Sequence, residues 1–391
     1  MSRLDDPVLV VGGGAAGHAC VGAYREAGGD RPVVLVSADD RLPYFRPYVS
    51  KEYLAGDIGA DELALEEPDW YLTNRVEVML GCAVTGIDLT TRVVSTDVGG
   101  PLRWGDCVLA TGSAARSLPI AGADDPDVFT LRHAGDAERL LAASSGPVVV
   151  VGSGFVGCEA AAGLRRSGRE VTVVSQEAAP QADRLGTEVG ALIASWLRDS
   201  GVDVRGNVDV ADLERHGDEL TVTMSDGTTL AAATVVLAVG AEPQLDLAAS
   251  LGLVDQARAG VAVSATMQTA ADGVLAIGDI AMAWHPTARR SLRVEHWGDA
   301  EGHGRTAGLS LAGVTEPWTN PPGFWSTIAG ETIKHVAWGD GYDELRVVRS
   351  PSGETFWYGR DGVVVGVLTH GHDEDADRAA AAVGEGWSMP S

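Results

Sequence analysis

Two stretches of the chain carry the same pattern, a run of four branched aliphatic residues that passes directly into GxGxxG. Val8-Leu9-Val10-Val11 leads into Gly12-Gly13-Gly14-Ala15-Ala16-Gly17, then a helix-length stretch, then Val33-Val34-Leu35-Val36. Val148-Val149-Val150-Val151 leads into Gly152-Ser153-Gly154-Phe155-Val156-Gly157, another helix-length stretch, then Val171-Thr172-Val173-Val174. Short apolar runs joined through a helix predict parallel strands, because parallel pairing needs a crossover of that length. Glycines between strand and helix let a phosphate approach the backbone at the positive end of the helix. One such motif is weak evidence, since glycines there also serve plain packing. Two of them predict a duplicated nucleotide-binding unit, one for a flavin and one for a nicotinamide, and so hydride transfer.

The rest of the chain fits around these units. Residues 42–69 read as loops and short helices, and Val76–Leu80 and Cys107–Ala110 as strands. Leu220–Met224 and Thr229–Leu237 read as strands about the turn Asp226-Gly227. After Pro321-Pro322, Val336–Trp338, Leu345–Val348, Thr355–Tyr358 and Val363–Leu368 predict an antiparallel sheet, followed by a helix near Asp375–Val383. Fifty glycines in 391 residues, nearly double the usual ~7%, indicate many tight turns. With 29 Lys plus Arg against 55 Asp plus Glu, the net charge of −26 argues against nucleic acid or an anionic membrane as partner. Cys20, Cys82, Cys107 and Cys158 form no CxxC pair, so no metal or disulfide framework is expected. The apolar run before Gly12 is too short for a signal peptide, and no run spans a membrane; a soluble cytoplasmic protein is expected.

The sequence resembles the FAD-dependent pyridine-nucleotide oxidoreductases, in the ferredoxin reductase branch that feeds oxygenases and is related to apoptosis-inducing factor. The resemblance runs along the whole chain. It rests on the two fingerprints, Pro43-Tyr44-Phe45-Arg46-Pro47-Tyr48-Val49-Ser50-Lys51, Ala110-Thr111-Gly112, Ile277-Gly278-Asp279, Arg293-Val294-Glu295-His296-Trp297 and Phe324-Trp325-Ser326. It implies an α/β fold with two Rossmann-like three-layer domains, FAD (1–114 with 242–320) and NAD(P)H (115–241), and a small α+β C-terminal domain (321–391). It implies non-covalent FAD, NADH as donor with NADPH open, and a small ferredoxin-type iron–sulfur protein as acceptor. An NAD(P)H oxidase or quinone reductase, or a redox-sensing flavoprotein, would share these motifs.

By the same resemblance Gly12, Gly14, Ala15, Ala16 and Gly17 hold the FAD pyrophosphate, and Asp279 with Gly278 meets the ribityl chain. Arg46, Ser50, Ala110, Thr111, Gly112 and Arg116 are further FAD contacts. Lys51 and Glu159 form an ion pair beside the flavin, and Glu295, His296, Trp297 and Trp325 approach the two rings. Gly152, Gly154, Phe155, Val156, Gly157, Ser175 and Gly240 belong to the nicotinamide nucleotide. Lys51 is one of only two lysines, which argues against a filler role. The acid that ends the second FAD strand in the family is missing at Ser37 and Ala38, leaving Asp39 as substitute; Ser175 replaces its counterpart, with Glu177 nearby. No cysteine lies in 42–51, which disfavours thiol chemistry. His370-Gly371-His372 reads as a solvated acidic loop rather than a metal site, and Arg289, Arg290 and Arg293 as a candidate docking cluster.

Overall fold

The structure is a computed structural model that describes residues 6–143, 145–255 and 259–390. Two five-stranded parallel sheets are built to one plan. The first runs Val274–Ala276, Asp106–Leu109, Val8–Val11, Val33–Val36, Val76–Met79. The second runs Val128–Thr130, Thr234–Leu237, Val148–Val151, Val171–Val174, Asp203–Arg205. Each centres on the strand that feeds a GxGxxG motif, and all four residues of both central strands are buried. That is why these runs are continuously apolar rather than alternating: helices cover one face and a second layer covers the other. The helices are Ala15–Glu26 and Phe155–Arg166. Each unit also carries a three-stranded antiparallel meander, Val84–Asp88, Val93–Thr96 and Leu102–Arg103 in one, and Val210–His216, Glu219–Met224 and Thr229–Ala232 in the other. The fold is α/β, with the duplication visible in the parallel sheets, their first helices and the meanders.

The units differ in their fifth strand. It comes from far downstream in the first sheet (Val274–Ala276) and from just upstream of the repeat in the second (Val128–Thr130). The chain crosses between units twice, and the two crossings, Ser113–Ala115 and Ala241–Pro243, pair antiparallel with each other.

One expectation needs correction. Thr229–Leu237 is not a single strand but breaks at Ala233. Thr229–Ala232 stays in the meander and is half exposed, whereas Thr234–Leu237 turns into the parallel sheet and is wholly buried. A run of β-formers carries no mark of such a change of sheet. The C-terminal sheet orders Gly323–Ile328, Glu331–Ala337, Val363–His370, Gly353–Arg360 and Glu344–Ser350, all antiparallel. The helix Asp373–Glu385 closes one face, with Ala379, Ala382 and Val383 against Trp357, Val364 and Val367. The expected strands are present, and Gly323–Ile328, which contains the FWS motif, adds an edge strand to them. Among the described residues no helix is long and apolar enough to cross a membrane.

Buried histidines set an acid limit on this fold. Burial lowers His18 and His303 to about 4 and His335 to about 3, the last aided by the charges of Arg184 and His296. They are neutral in the folded chain but titrate near 6.5 when unfolded, so unfolding takes up protons below that pH. Stability is therefore full above about pH 7 and falls as pH drops toward 4. We expect urea midpoints measured between pH 7.5 and 5 to fall more steeply for the wild type than for His303→Leu. Parallel slopes would mean His303 does not contribute.

Candidate active site

The two nucleotide units and the C-terminal sheet meet at a cavity of about 690 Å³. Its floor is the first fingerprint, Gly12 to Ala16, with Ala110, Thr111 and Gly112 beside it and Gly278 and Asp279 opposite. Gly12 has φ +120°, and a side chain there would overlap the Ala110 carbonyl oxygen. Gly17 lies outside the lining and packs directly on the Gly12 carbonyl, so its work is to let the helix approach the strand. Gly152 (φ +103°) against Ala238 and Gly157 against Gly152 repeat both contacts in the second unit. Neither helix N-terminus has a side-chain cap or an acid in its first turn. The orphan N–H groups and the positive dipole end are left for an anion. The cavity thus fits a dinucleotide laid with its pyrophosphate over Gly12–Ala16.

The Lys51–Glu159 pair forms as expected. Nζ lies 3.0 Å from Oε1, with side chains 11% and 5% exposed. Two serines complete it: Ser50 Oγ donates to Glu159 Oε2 and Ser326 Oγ to Oε1, both at 2.6 Å. Lys51 also donates to the Pro47 carbonyl at 3.2 Å. Glu159, on the second-unit helix, is therefore held by donors from the RPxxSK segment and from the C-terminal sheet. Nothing local in sequence links Ser326 to Glu159; only the serine of the FWS motif hinted at a role.

Aromatic rings close the same end. Trp325, 37% exposed, stacks on Phe45 (6.1 Å, 20°), and Phe45 meets Trp297 edge-on at 4.9 Å. Phe324 packs against Phe155, His296 and His335, with the Arg184 guanidinium 5.5 Å above its ring. Phe324 lines the cavity and Phe45 backs Trp325, roles that nothing in the sequence motifs carrying them marks. Glu295 lines the cavity and pairs with Arg293 at 3.0 Å; Val156 lines it as well.

At the opposite end Asp279 Oδ2 accepts from Ser113 Oγ (2.5 Å) and Arg132 Nη2 (2.9 Å). Arg132 takes the place at the cavity expected for Arg116, whose side chain is exposed and outside the lining. Arg132 follows the edge strand Val128–Thr130, and the carboxyl end of a parallel strand is where ligands bind. Arg46 lines the cavity, donates to the Arg132 carbonyl (2.9 Å) and covers Tyr44. Asp39 lies there too, with Oδ2 bonded to Tyr44 Oη (3.0 Å) and close to His133 Nδ1 (3.1 Å). Burial would raise its carboxyl, but these two partners outweigh that and hold it below the usual range.

Gly152, Gly154, Gly157, Ser175 and Gly240 lie outside this cavity, on the second unit, while Phe155, Val156 and Glu159 bridge the two. Ser175 is buried, and its hydroxyl lies 2.6 Å from that of Ser153. Gly240 has φ +105° and accepts a bond from the Arg116 N–H at the domain crossing. The four cysteines are buried and free; burial pushes Cys20 and Cys107 up to about 12 and Cys158 higher still. Such thiols are inert. His370 bonds Glu331, and His372 lies against Ser350 and Thr355. The arginine cluster is largely neutralised, Arg290 by Asp340 and Arg293 by Glu295, leaving Arg289 exposed at its turn.

Residues 6–304 match the pyridine nucleotide-disulphide oxidoreductase family. This chain belongs to that family. The chain is 32% identical, over 84% of its length and 79% of the relative's, to the benzene 1,2-dioxygenase system ferredoxin–NAD(+) reductase subunit of Pseudomonas putida. It is 29% identical to human apoptosis-inducing factor 3 over 98% of its own length, spanning 64% of that protein. Its fold superposes on putidaredoxin reductase in a covalent complex with putidaredoxin, with a TM-score of 0.92 at 28% identity, covering 98% of this chain and 94% of that one.

Proposed function

We propose that this oxidoreductase passes electrons from NADH through bound FAD to a small iron–sulfur protein of the ferredoxin type, serving an oxygenase from the cytoplasm. The observation that carries the reading is the buried Lys51–Glu159 pair, set where both nucleotide units and the C-terminal sheet meet. FAD supplies two-electron acceptance from a nicotinamide and one-electron release to an acceptor. The chain's own residues do the rest. The helix beginning at Ala15 would hold the pyrophosphate, and Asp279, whose described protein donors both go to Oδ2, would have Oδ1 for a ligand hydroxyl. Lys51 would present fixed positive charge to a bound flavin, and Glu159 with its two serines keeps that cation in place. Trp325, backed by Phe45, lines the same end.

The domain division 1–114 with 242–320, 115–241 and 321–391 accompanies this reading. It is supported by the paired crossings and by Val274–Ala276 joining the first sheet. Steady-state assays with a panel of iron–sulfur proteins, a quinone and oxygen test the acceptor. The proposal expects the highest kcat/KM with an iron–sulfur protein; a quinone exceeding all of them would replace it with the quinone-reductase reading.

Coenzyme choice follows from Ser175. A carboxylate at this strand end would repel a 2′-phosphate; a serine already bonded to Ser153 does not. Glu177 and Asp183 still make the neighbourhood acidic, and the adjacent Arg205 is paired with Asp203. We expect kcat/KM to favour NADH by about tenfold or less, and Ser175→Glu to widen the gap by weakening NADPH. A wild type that prefers NADPH would overturn this assignment.

A further inference from the structure

His296 precedes the helix Trp297–Leu311, and Asp299 lies in its first turn. Their side chains meet, His296 Nδ1 to Asp299 Oδ2 at 3.0 Å, with the imidazole 18% and the carboxylate 6% exposed. The same carboxylate oxygen accepts the Gly323 N–H at 3.2 Å, so the first residue of the C-terminal sheet pins the acid from the other side. Phe324 packs against the imidazole at 5.0 Å. An acceptor fixed against Nδ1 selects the tautomer protonated there and leaves Nε2 as the free nitrogen. The ring's one described hydrogen bond is the one at Nδ1, so Nε2 has no protein partner among the described residues, and His296 lines the cavity between Glu295 and Trp297.

Other ionisable groups around this end are already committed. Lys51 is paired with Glu159, Glu295 with Arg293, and His335 is buried and held neutral. Arg184 stands beyond Phe324 and carries a permanent charge. The other histidine of the cavity, His133, sits at the far end beside Asp39. His296 is thus the one side chain at the Lys51 end, among the described residues, with a free imidazole nitrogen and contact with solvent.

We propose that His296, oriented by Asp299, is the group that takes protons out of this cavity. The inference rests on the electron-transfer reading above. Oxidation of one NADH by two one-electron acceptors yields NAD⁺, two reduced acceptors and one proton. That proton has to leave a cavity lined at this end by Trp325 and Phe324. His296 Nε2 receives it and passes it to water, while Asp299 holds the ring in the tautomer that can accept at Nε2 and stabilises the imidazolium. Asp299 is a positioning residue.

Two measurements on the FAD-loaded protein test this. The first is the nitrogen-15 spectrum of the histidine rings, with His296→Gln used to assign the signal. Wild type should show His296 protonated at Nδ1, and Asp299→Asn should lose that preference; a wild-type ring protonated at Nε2 overturns the proposal. The second is turnover of NADH with ferricyanide. His296→Gly should lose about tenfold or more in kcat and regain rate on adding imidazole. Asp299→Asn should fall between it and wild type. A glycine variant that turns over like wild type, or whose loss imidazole does not rescue, refutes the role. If NADH fails to reduce the wild-type flavin at all, the functional reading fails instead, and the tautomer result stands apart from it.

Discussion

Lys51→Met is expected to purify with FAD bound yet accept hydride from NADH about 10²-fold more slowly, the usual cost of losing one preorganised electrostatic donor. The side chains match in reach, so the cavity keeps its shape. What changes is charge. Glu159 is 5% exposed and would be left with only Ser50 and Ser326 as donors. Breaking a buried pair from one side costs ~3–5 kcal/mol because the remaining charge is uncompensated. That charge also opposes the negative charge arriving with the hydride. Adding Glu159→Gln to Lys51→Met should therefore recover stability, and part of the rate, relative to Lys51→Met alone. Anaerobic stopped-flow reduction and urea unfolding of the two variants measure this. Reduction within twofold of wild type in Lys51→Met would remove the lysine from the mechanism.

The two fingerprints should separate cleanly by mutation. In Gly17→Ala the new methyl overlaps the Gly12 carbonyl oxygen, and in Gly157→Ala it overlaps that of Gly152. Helix and strand must move apart in each, at a cost of typically 1–3 kcal/mol for overpacking. The displaced helix end no longer presents its N–H groups to a pyrophosphate. Gly17→Ala is expected to purify largely without flavin. Gly157→Ala should keep FAD but bind NADH about a hundredfold more weakly, roughly the 2.8 kcal/mol equivalent. Flavin absorbance per chain and NADH titration of the oxidised protein tell them apart. Equal flavin loss in both would mean that the two units do not hold different nucleotides.

The duplication was legible in the sequence because a parallel strand buried on both faces must be a continuous apolar run, and the glycine contacts at its end are fixed by backbone geometry. Val8–Val11 and Val148–Val151 show both properties directly. What the sequence hides is contact across domains. Glu159 and Ser326 are 167 residues apart and meet only because the C-terminal strand Gly323–Ile328 lies against the second-unit helix. The same holds for the arginines. Spacing after the ATG motif favoured Arg116, but the crossing strand Ser113–Ala115 carries the chain out of the cavity, and Arg132 enters it from an edge strand too short to be read. Arg290 and Arg293 looked like a basic patch in one dimension; Asp340, fifty residues on, and Glu295 neutralise them in three. Thr229–Leu237 had the composition of one strand, yet its halves belong to different sheets, a division set by burial and not by propensity.

A double-mixing experiment without oxygen tests the electron path most directly. The FAD-loaded protein is mixed first with one equivalent of NADH, then with an oxidised ferredoxin-type protein, while flavin and iron–sulfur absorbance are followed together. The account predicts fast loss of the flavin band, then its return in step with reduction of two iron–sulfur proteins per NADH. A reduced flavin–nicotinamide complex that persists for minutes in the presence of every iron–sulfur protein offered would contradict it.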